Sequence, residues 1–187
     1  MKKILVKHLM VRLSEYATVH QDSHLIDAIF ALEEAQKKFE ASPYVHRAIL
    51  AYDDNNQIVG KLSQWDVIKS LEPKYDYVGD LRSTSLSGLS PEFIKSMMEK
   101  QNLWQEDIDV ICSRVSGKKV KDVMYTLTDQ EKIDFDATLG EALHMFVIGH
   151  HQSLLVRKGD RIVGILRLVD VFKLLCDRIK ACGIKRG

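Results

Sequence analysis

Ser63 and Asp66 are the residues whose types and spacing best suit chemistry, in the stretch Gly60-Lys-Leu-Ser63-Gln-Trp-Asp66. An apolar strand pattern ends there and a helical one begins, so Ser63 occupies the junction. Such a junction points free backbone N–H groups outward, and with the helix dipole they attract a phosphate or a hydroxyl. The Ser63 hydroxyl can donate to a phosphate oxygen, and the Asp66 carboxylate can accept hydrogen bonds from a vicinal diol such as a ribose. A charged acceptor makes each such bond worth about 1.5–3 kcal/mol. Ser-x-x-Asp also describes an ordinary capped helix start, and the motif alone supports both readings.

Bond-breaking chemistry would need a nucleophile with its base, paired carboxylates or a phosphate loop with lysine, and no such set assembles from the motifs. Cys182, near Lys180 and Lys185, is a lone thiol beside a basic end. The seven histidines raise the question of a metal, above all the adjacent His150 and His151 and the matching His46. Neighbours in sequence rarely ligate one ion, and no Cys/His spacing of the structural-zinc kind is present. His20 and His24 are four apart but straddle a strand-to-helix boundary, whereas His144 and His151 could share a helix face. We expect no catalytic residue, no metal and no required cofactor.

Composition sets the frame. Of 187 residues, 45% are hydrophobic and 28% charged, the balance of a chain with a packed core. Twenty-seven basic residues against 26 acidic give a net charge of +1, so neither nucleic acid nor an anionic membrane is an expected partner. Cys112, Cys176 and Cys182 are odd in number and outside any C-x-x-C spacing, which reads as reduced thiols in a cytoplasmic protein. The opening Met-Lys-Lys-Ile-Leu-Val is cut short by His8 and Arg12 before a signal-peptide core can form, and no apolar run is long enough to span a membrane.

The elements that must position Ser63 and Asp66 occur twice. A shift of 114 positions matches Val6, Lys7, Met10, Leu13, Asp22, Leu25 and Ala28 to Val120, Lys121, Met124, Leu127, Asp136, Leu139 and Ala142. Further on the shift is 104, and Ile58-Val59-Gly60, Leu62, Asp66-Val67, Lys69 and Leu71 recur as Ile162-Val163-Gly164, Leu166, Asp170-Val171, Lys173 and Leu175. That is 8 identities in 14 positions, where chance gives roughly one. The change of shift assigns ten extra residues to the first copy, most naturally at Lys37–Tyr44, where Pro43 breaks the chain.

Each copy reads as strand (Ala17–His20; Lys132–Phe135), helix (Leu25, Ile29 and Leu32; Leu139, Leu143, Phe146 and Val147), two strands and a closing helix. Thr138 and Glu141 form a capping box, and Ser23 is the expected cap of the first helix. The paired strands are Ala48–Tyr52 with Gln57–Leu62 and Ser153–Val156 with Arg161–Leu166, joined by Asp53-Asp54-Asn55-Asn56 and Lys158-Gly159-Asp160. The closing helices are Gln64–Leu71 and Leu168–Lys180. A unit of about 60 residues buries too little surface to stand alone, so the copies should pack around a pseudo-two-fold axis. The organisation is a first repeat over 1–72, a helical insert over 73–119, a second repeat over 120–182 and a tail over 183–187. In the insert, Ser90-Pro91-Glu92 starts a helix striped by Phe93, Ile94, Met97 and Met98, and a second helix runs from about Trp104 to Val115. The insert either covers one edge of the pair or offers a partner or dimerisation surface.

Gly60-x-x-Ser63-x-x-Asp66 and Gly164-x-x-x-x-x-Asp170, each closing a strand-strand-helix unit, resemble the signature of cystathionine-β-synthase (CBS) domains. The lead-ins Val6-Lys-His-Leu-Met10 and Val120-Lys-Asp-Val-Met124 resemble the family's opening, so the likeness covers all but the insert and tail. It implies an α+β fold of two β-α-β-β-α repeats, the tandem pair known as a Bateman module. It also implies non-catalytic, regulatory binding of AMP, ADP, ATP or S-adenosylmethionine in clefts between the repeats. Carried over residue by residue, the first cleft would use Lys61, Ser63 and Asp66 with Thr126, His150 and His151. The second would use Ile165, Arg167 and Asp170 with Arg12, His46 and Arg47. Basic side chains would face phosphates and each Asp a ribose. Arg167 replaces the family's Ser/Thr, so the second cleft either holds a phosphate by a bidentate contact or is plugged. Proline is absent from both second strands, and Lys61 stands where the family has an apolar residue against the base. The family's habit of stacking modules implies a homodimer, isologous in its contacts, and a sensor of this kind signals to a downstream protein that the sequence does not name. The other reading is a degenerate pair that serves as a dimerisation or partner-docking scaffold. Arg167 and Lys61 favour it, and the intact Ser63/Asp66 pair argues against it.

Overall fold

In a computed structural model describing residues 4–38, 48–76 and 90–183, the two halves form two four-stranded sheets. Strands β1 (Val11–Arg12) and β2 (Thr18–His20) precede helix α1 (Leu25–Lys38), and β3 (Ala48–Tyr52) and β4 (Ile58–Ser63) lead into α2 (Gln64–Leu71). The insert carries α3 (Pro91–Gln101) and α4 (Ile108–Ser116). The second half runs β5 (Tyr125–Thr126), β6 (Lys132–Asp134), α5 (Leu139–Gly149), β7 (Ser153–Lys158), β8 (Arg161–Arg167) and α6 (Leu168–Gly183). The expected order of strand, helix, strand, strand, helix recurs in both halves. In each, the first long strand pairs in parallel across a helix and the next two form an antiparallel hairpin, as the need for a crossover between parallel strands dictates.

What the periodicity does not reveal is the short leading strand of each half, because each one joins the other half's sheet. One sheet has the order β1-β8-β7-β6 and the other β2-β3-β4-β5. Val11 lies opposite Ile165 and Arg12 opposite Gly164, while Lys61 lies opposite Tyr125 and Gly60 opposite Thr126. The lead-ins cross with the strands. Val6 is fully buried in the core built by Ile133, Leu139, Phe146 and Leu166, and Val120 in the core built by Leu25, Ile49 and Leu62. Each such burial stabilises by about 1.5–3 kcal/mol. Backbone bonds repeat the exchange, with Val6 N–H donating to Ala137 at 2.9 Å and Val120 N–H to Ser23 at 2.9 Å. Side chains clamp it: Lys7 meets Asp136 at 2.6 Å, and Lys121 meets Asp22 at 2.8 Å. Hydrogen bonds from Lys121 and then Lys119 hold the Asp22 carboxyl down to about 2.

The repeated glycine is explained by this crossing. A Cβ on Gly164 would sit 2.5 Å from the Val11 carbonyl oxygen, and one on Gly60 would run into the Met124 thioether. Only a residue without a side chain lets the incoming lead-in lie flat on the strand.

Three local expectations are corrected. His24, not Ser23, stands before α1, with its N–H donating to Asp27 at 3.1 Å. The 114-residue shift maps Thr138 onto His24, so the crossing segment, whose Lys118 carbonyl accepts from Leu25 N–H at 2.8 Å, fixes the helix start. In the insert, α4 begins after the Asp107 cap and not at Trp104. Trp104 has φ 57° in a turn, held because its N–H donates to buried Glu72 at 2.7 Å and its indole N–H to the Tyr75 hydroxyl at 3.0 Å. Finally, α6 continues to Gly183, past the expected Lys180.

The insert is part of the first repeat's core. Ile111 and Val115 of α4 are buried among Leu25, Ala28 and Leu62, so this helix does cover one edge. The other helix does not: α3 leaves Phe93, Ile94 and Met98 exposed. A third apolar cluster, Tyr16, Leu50, Leu155 and Ile165, joins the two sheets face to face. The Lys37–Tyr44 stretch expected to hold the extra residues lies beyond the described residues after Lys38.

Candidate functional site

Alternation along β4 decides which side chains face the second repeat. Leu62 points into the first repeat's core, so Lys61 and Ser63 lie on the opposite face, towards the groove between the repeats. Ser63 ends the strand and caps α2 in a full capping box with Asp66. The Ser63 N–H and hydroxyl donate to Asp66 Oδ2 at 2.8 and 2.5 Å, and Asp66 N–H donates back to Ser63 Oγ at 3.3 Å. The capping box thus uses one of the two carboxylate oxygens. Oδ2 is used by the helix start, whereas Oδ1 has no hydrogen bond to the chain among the described residues.

Beside this junction lies a charged cluster that spans the repeats. Lys61 Nζ is 3.4 Å from Glu131 Oε1, and His151 Nδ1 is 3.7 Å from the same oxygen. The three side chains are only 15, 11 and 17% exposed. Lys61 also lies 6.0 Å from the centre of the Tyr125 ring. The second carboxylate oxygen, Glu131 Oε2, is buried with no hydrogen-bond partner among the described residues.

Of the residues assigned to the first cleft, Lys61 and His151 meet at Glu131, Ser63 and Asp66 are joined at the start of α2, and Lys61 and Ser63 share one face of β4. Thr126 lies opposite Gly60, so the pleat turns it away from Lys61 and brings Tyr125 in its place. His150 caps α5 in the left-handed conformation, φ 48°, and is exposed. Because α5 ends at Gly149, His144 and His151 do not share a helix face. His151 instead folds its ring over Gly149, where an added Cβ would strike it.

The second groove is built differently. Arg167 folds back onto Asp170, its Nε and Nη2 donating to the two carboxylate oxygens at 2.6 and 2.7 Å. Ile165 is fully buried against Tyr16, Leu50 and Leu155. Burial pushes the Tyr16 phenol up to about 12, against the pull of the nearby Arg167 charge. Arg12 is exposed, opposite Gly164, while Val11 takes the inward side. His46 and Arg47 lie outside the described residues. Among the described residues of this groove, Arg167 already takes up both oxygens of Asp170.

Glu131, Tyr125 and Tyr16 are the residues that motif reading misses. The repeat carries a signal for them: a shift of 114 sets Glu131 against Ala17, and a shift of 104 sets Lys61 against Ile165. One groove has a cation facing an anion where the other has two apolar residues. A cavity of about 200 Å³ lies between the two hairpins, lined by Gln57, Ile58, Asp129, Lys132, Arg157 and Ile162. A more open groove of about 500 Å³ runs between β6 and α5. Neither includes Ser63 or Asp66. Among the described residues no three His, Cys, Asp or Glu side chains come together as a metal site.

Comparison with known proteins agrees with this architecture. The family profile described as "CBS domain" matches residues 6–73 and 120–177. A CBS domain-containing protein of unknown function from Bacillus anthracis superimposes with a TM-score of 0.61 at 19% identity, covering 94% of each chain. The crystal structure of CBSX2 in complex with AMP gives 0.59 at 21% identity, over 93% of this chain and 97% of that one. An uncharacterized conserved protein from Pyrococcus horikoshii gives 0.57 at 16% identity, over 93% of both chains. No curated protein sequence matches significantly.

Proposed function

Since the chain belongs to the CBS-domain family and carries two copies of the domain, we propose that it is a non-catalytic regulatory module that binds an adenosine-containing ligand in its first groove. The observation that carries this reading is the half-buried Asp66 carboxylate beside Ser63, whose Oδ1 has no hydrogen bond among the described residues. An open carboxylate oxygen at a strand-to-helix junction is suited to a ribose diol. A CBS-domain fold seen with AMP bound supports the ligand class. The second groove, with Asp170 already gripped by Arg167, is not a ligand site in this reading. The module acts as a homodimer in the cytoplasm. Phe30, Trp65, Ile68 and Phe172 are each more than half exposed on helices and support a self-association surface, and the three cysteines are free.

Thermal unfolding with AMP, ADP, ATP, adenosine and S-adenosylmethionine tests the reading. A ligand at a hundred times its dissociation constant stabilises by about 2.7 kcal/mol, a rise of about 5–10 °C for a chain of this size. Asp66→Ala should lose that rise, although it also starts from a lower midpoint because the cap is gone, and Asp170→Ala should keep it. The Arg167–Asp170 grip in the second groove favours a scaffold without ligand as the second reading. A midpoint that none of the five compounds moves would establish it.

A further inference from the structure

Resting on the binding reading above, we infer that Glu131 makes the first groove select a ligand whose entering group donates hydrogen bonds and carries no negative charge, in preference to a phosphate. Lys61 and His151 both lie against one oxygen of Glu131. The other oxygen is buried and has no hydrogen-bond partner among the described residues. A buried acceptor without a donor is destabilising, more so when it is charged. A ligand amine, amide or hydroxyl supplies the missing donor and leaves both existing contacts intact. A phosphate supplies none. To reach Lys61 it would have to break the ion pair and leave Glu131 as an isolated charge against an incoming anion, the costly way to open a buried pair.

The pairing is specific to this groove. At the equivalent places of the second groove stand Ala17 and Ile165, so cation and anion are present together in one groove and absent together in the other. Lys61 and Glu131 come from opposite repeats, 70 residues apart, and meet where the repeats pack together. Glu131 is therefore a specificity-determining residue of a nucleoside site.

Adenosine and AMP differ only in the phosphate, and their dissociation constants, measured by titration calorimetry, test the assignment. The wild type should bind adenosine at least tenfold more tightly than AMP or ATP. Glu131→Gln should bring the AMP-to-adenosine ratio within threefold of one or invert it. Because Glu131→Gln could disturb folding, the double variant Lys61→Ile with Glu131→Ala provides a second test. It installs the residues of the other groove and removes both charges at once, and it should lose the discrimination in the same way. Tighter binding of AMP than of adenosine by the wild type would overturn the inference and leave the binding reading standing. A ratio unchanged in both variants would overturn the role of Glu131. If none of the three compounds binds, the binding reading fails and this inference with it.

Discussion

Tyr16 and Arg167 show how two residues set one of a pair of related grooves apart from the other. Arg167 replaces the hydroxyl that caps α2 in the other repeat, and its guanidinium reaches Asp170 through two short bonds that serine could not make. Tyr16 fills the space beside it. The fold keeps this phenol neutral, with a pKa of about 12 where 10 is ordinary. Its contribution is intact below pH 10 and is lost as pH rises from 10 through 12, a change of about 3 kcal/mol. Urea unfolding of wild type and Tyr16→Phe at pH 8 and about pH 11.5 should show the wild type losing more stability between the two conditions than the variant does. Equal losses would mean that the phenol is not held neutral by burial. Ser63 and Asp66 were legible as a candidate site because strand and helix periods meet there. Glu131 was not, because its importance lies in a partner 70 residues away.

At the level of elements, the insert divides into a helix that belongs to the core and one that does not. Ile111 is 3% exposed in α4, whereas Phe93 is 50% exposed in α3. Ile111→Ala should destabilise by about 2–5 kcal/mol, the range for opening a cavity under a buried aliphatic side chain. Phe93→Ala should stay within about 0.5 kcal/mol, as surface changes do. Chemical denaturation of the two variants measures both, and equal effects would contradict this division of the insert. Both helices were readable from their apolar stripes and from the Ser90 cap. The stripes are of similar strength, so periodicity could not say which helix is buried. The start of α4 was misread because Trp104 looks like the first residue of an apolar face. In the structure its backbone is tied to Glu72, a residue of another element.

Across the whole molecule, each half completes the other. Val6 and β1 belong to the second core and sheet, Val120 and β5 to the first. Fragments 1–119 and 120–187 should each lack a cooperative thermal transition when alone, and an equimolar mixture should regain one. A cooperative transition of 120–187 alone at the midpoint of the intact chain would show that the exchange is not what holds the pair together. The duplication, the order of elements and the Ser63–Asp66 junction follow from the sequence by itself, because periodicity, caps and repeated residues act over a few positions along the chain. The crossing of the lead-ins, the Arg167–Asp170 grip and the Lys61–Glu131 pair were decided only by tertiary structure. Each depends on which surfaces meet, and that is fixed by the fit of two packed faces rather than by any run of neighbouring residues.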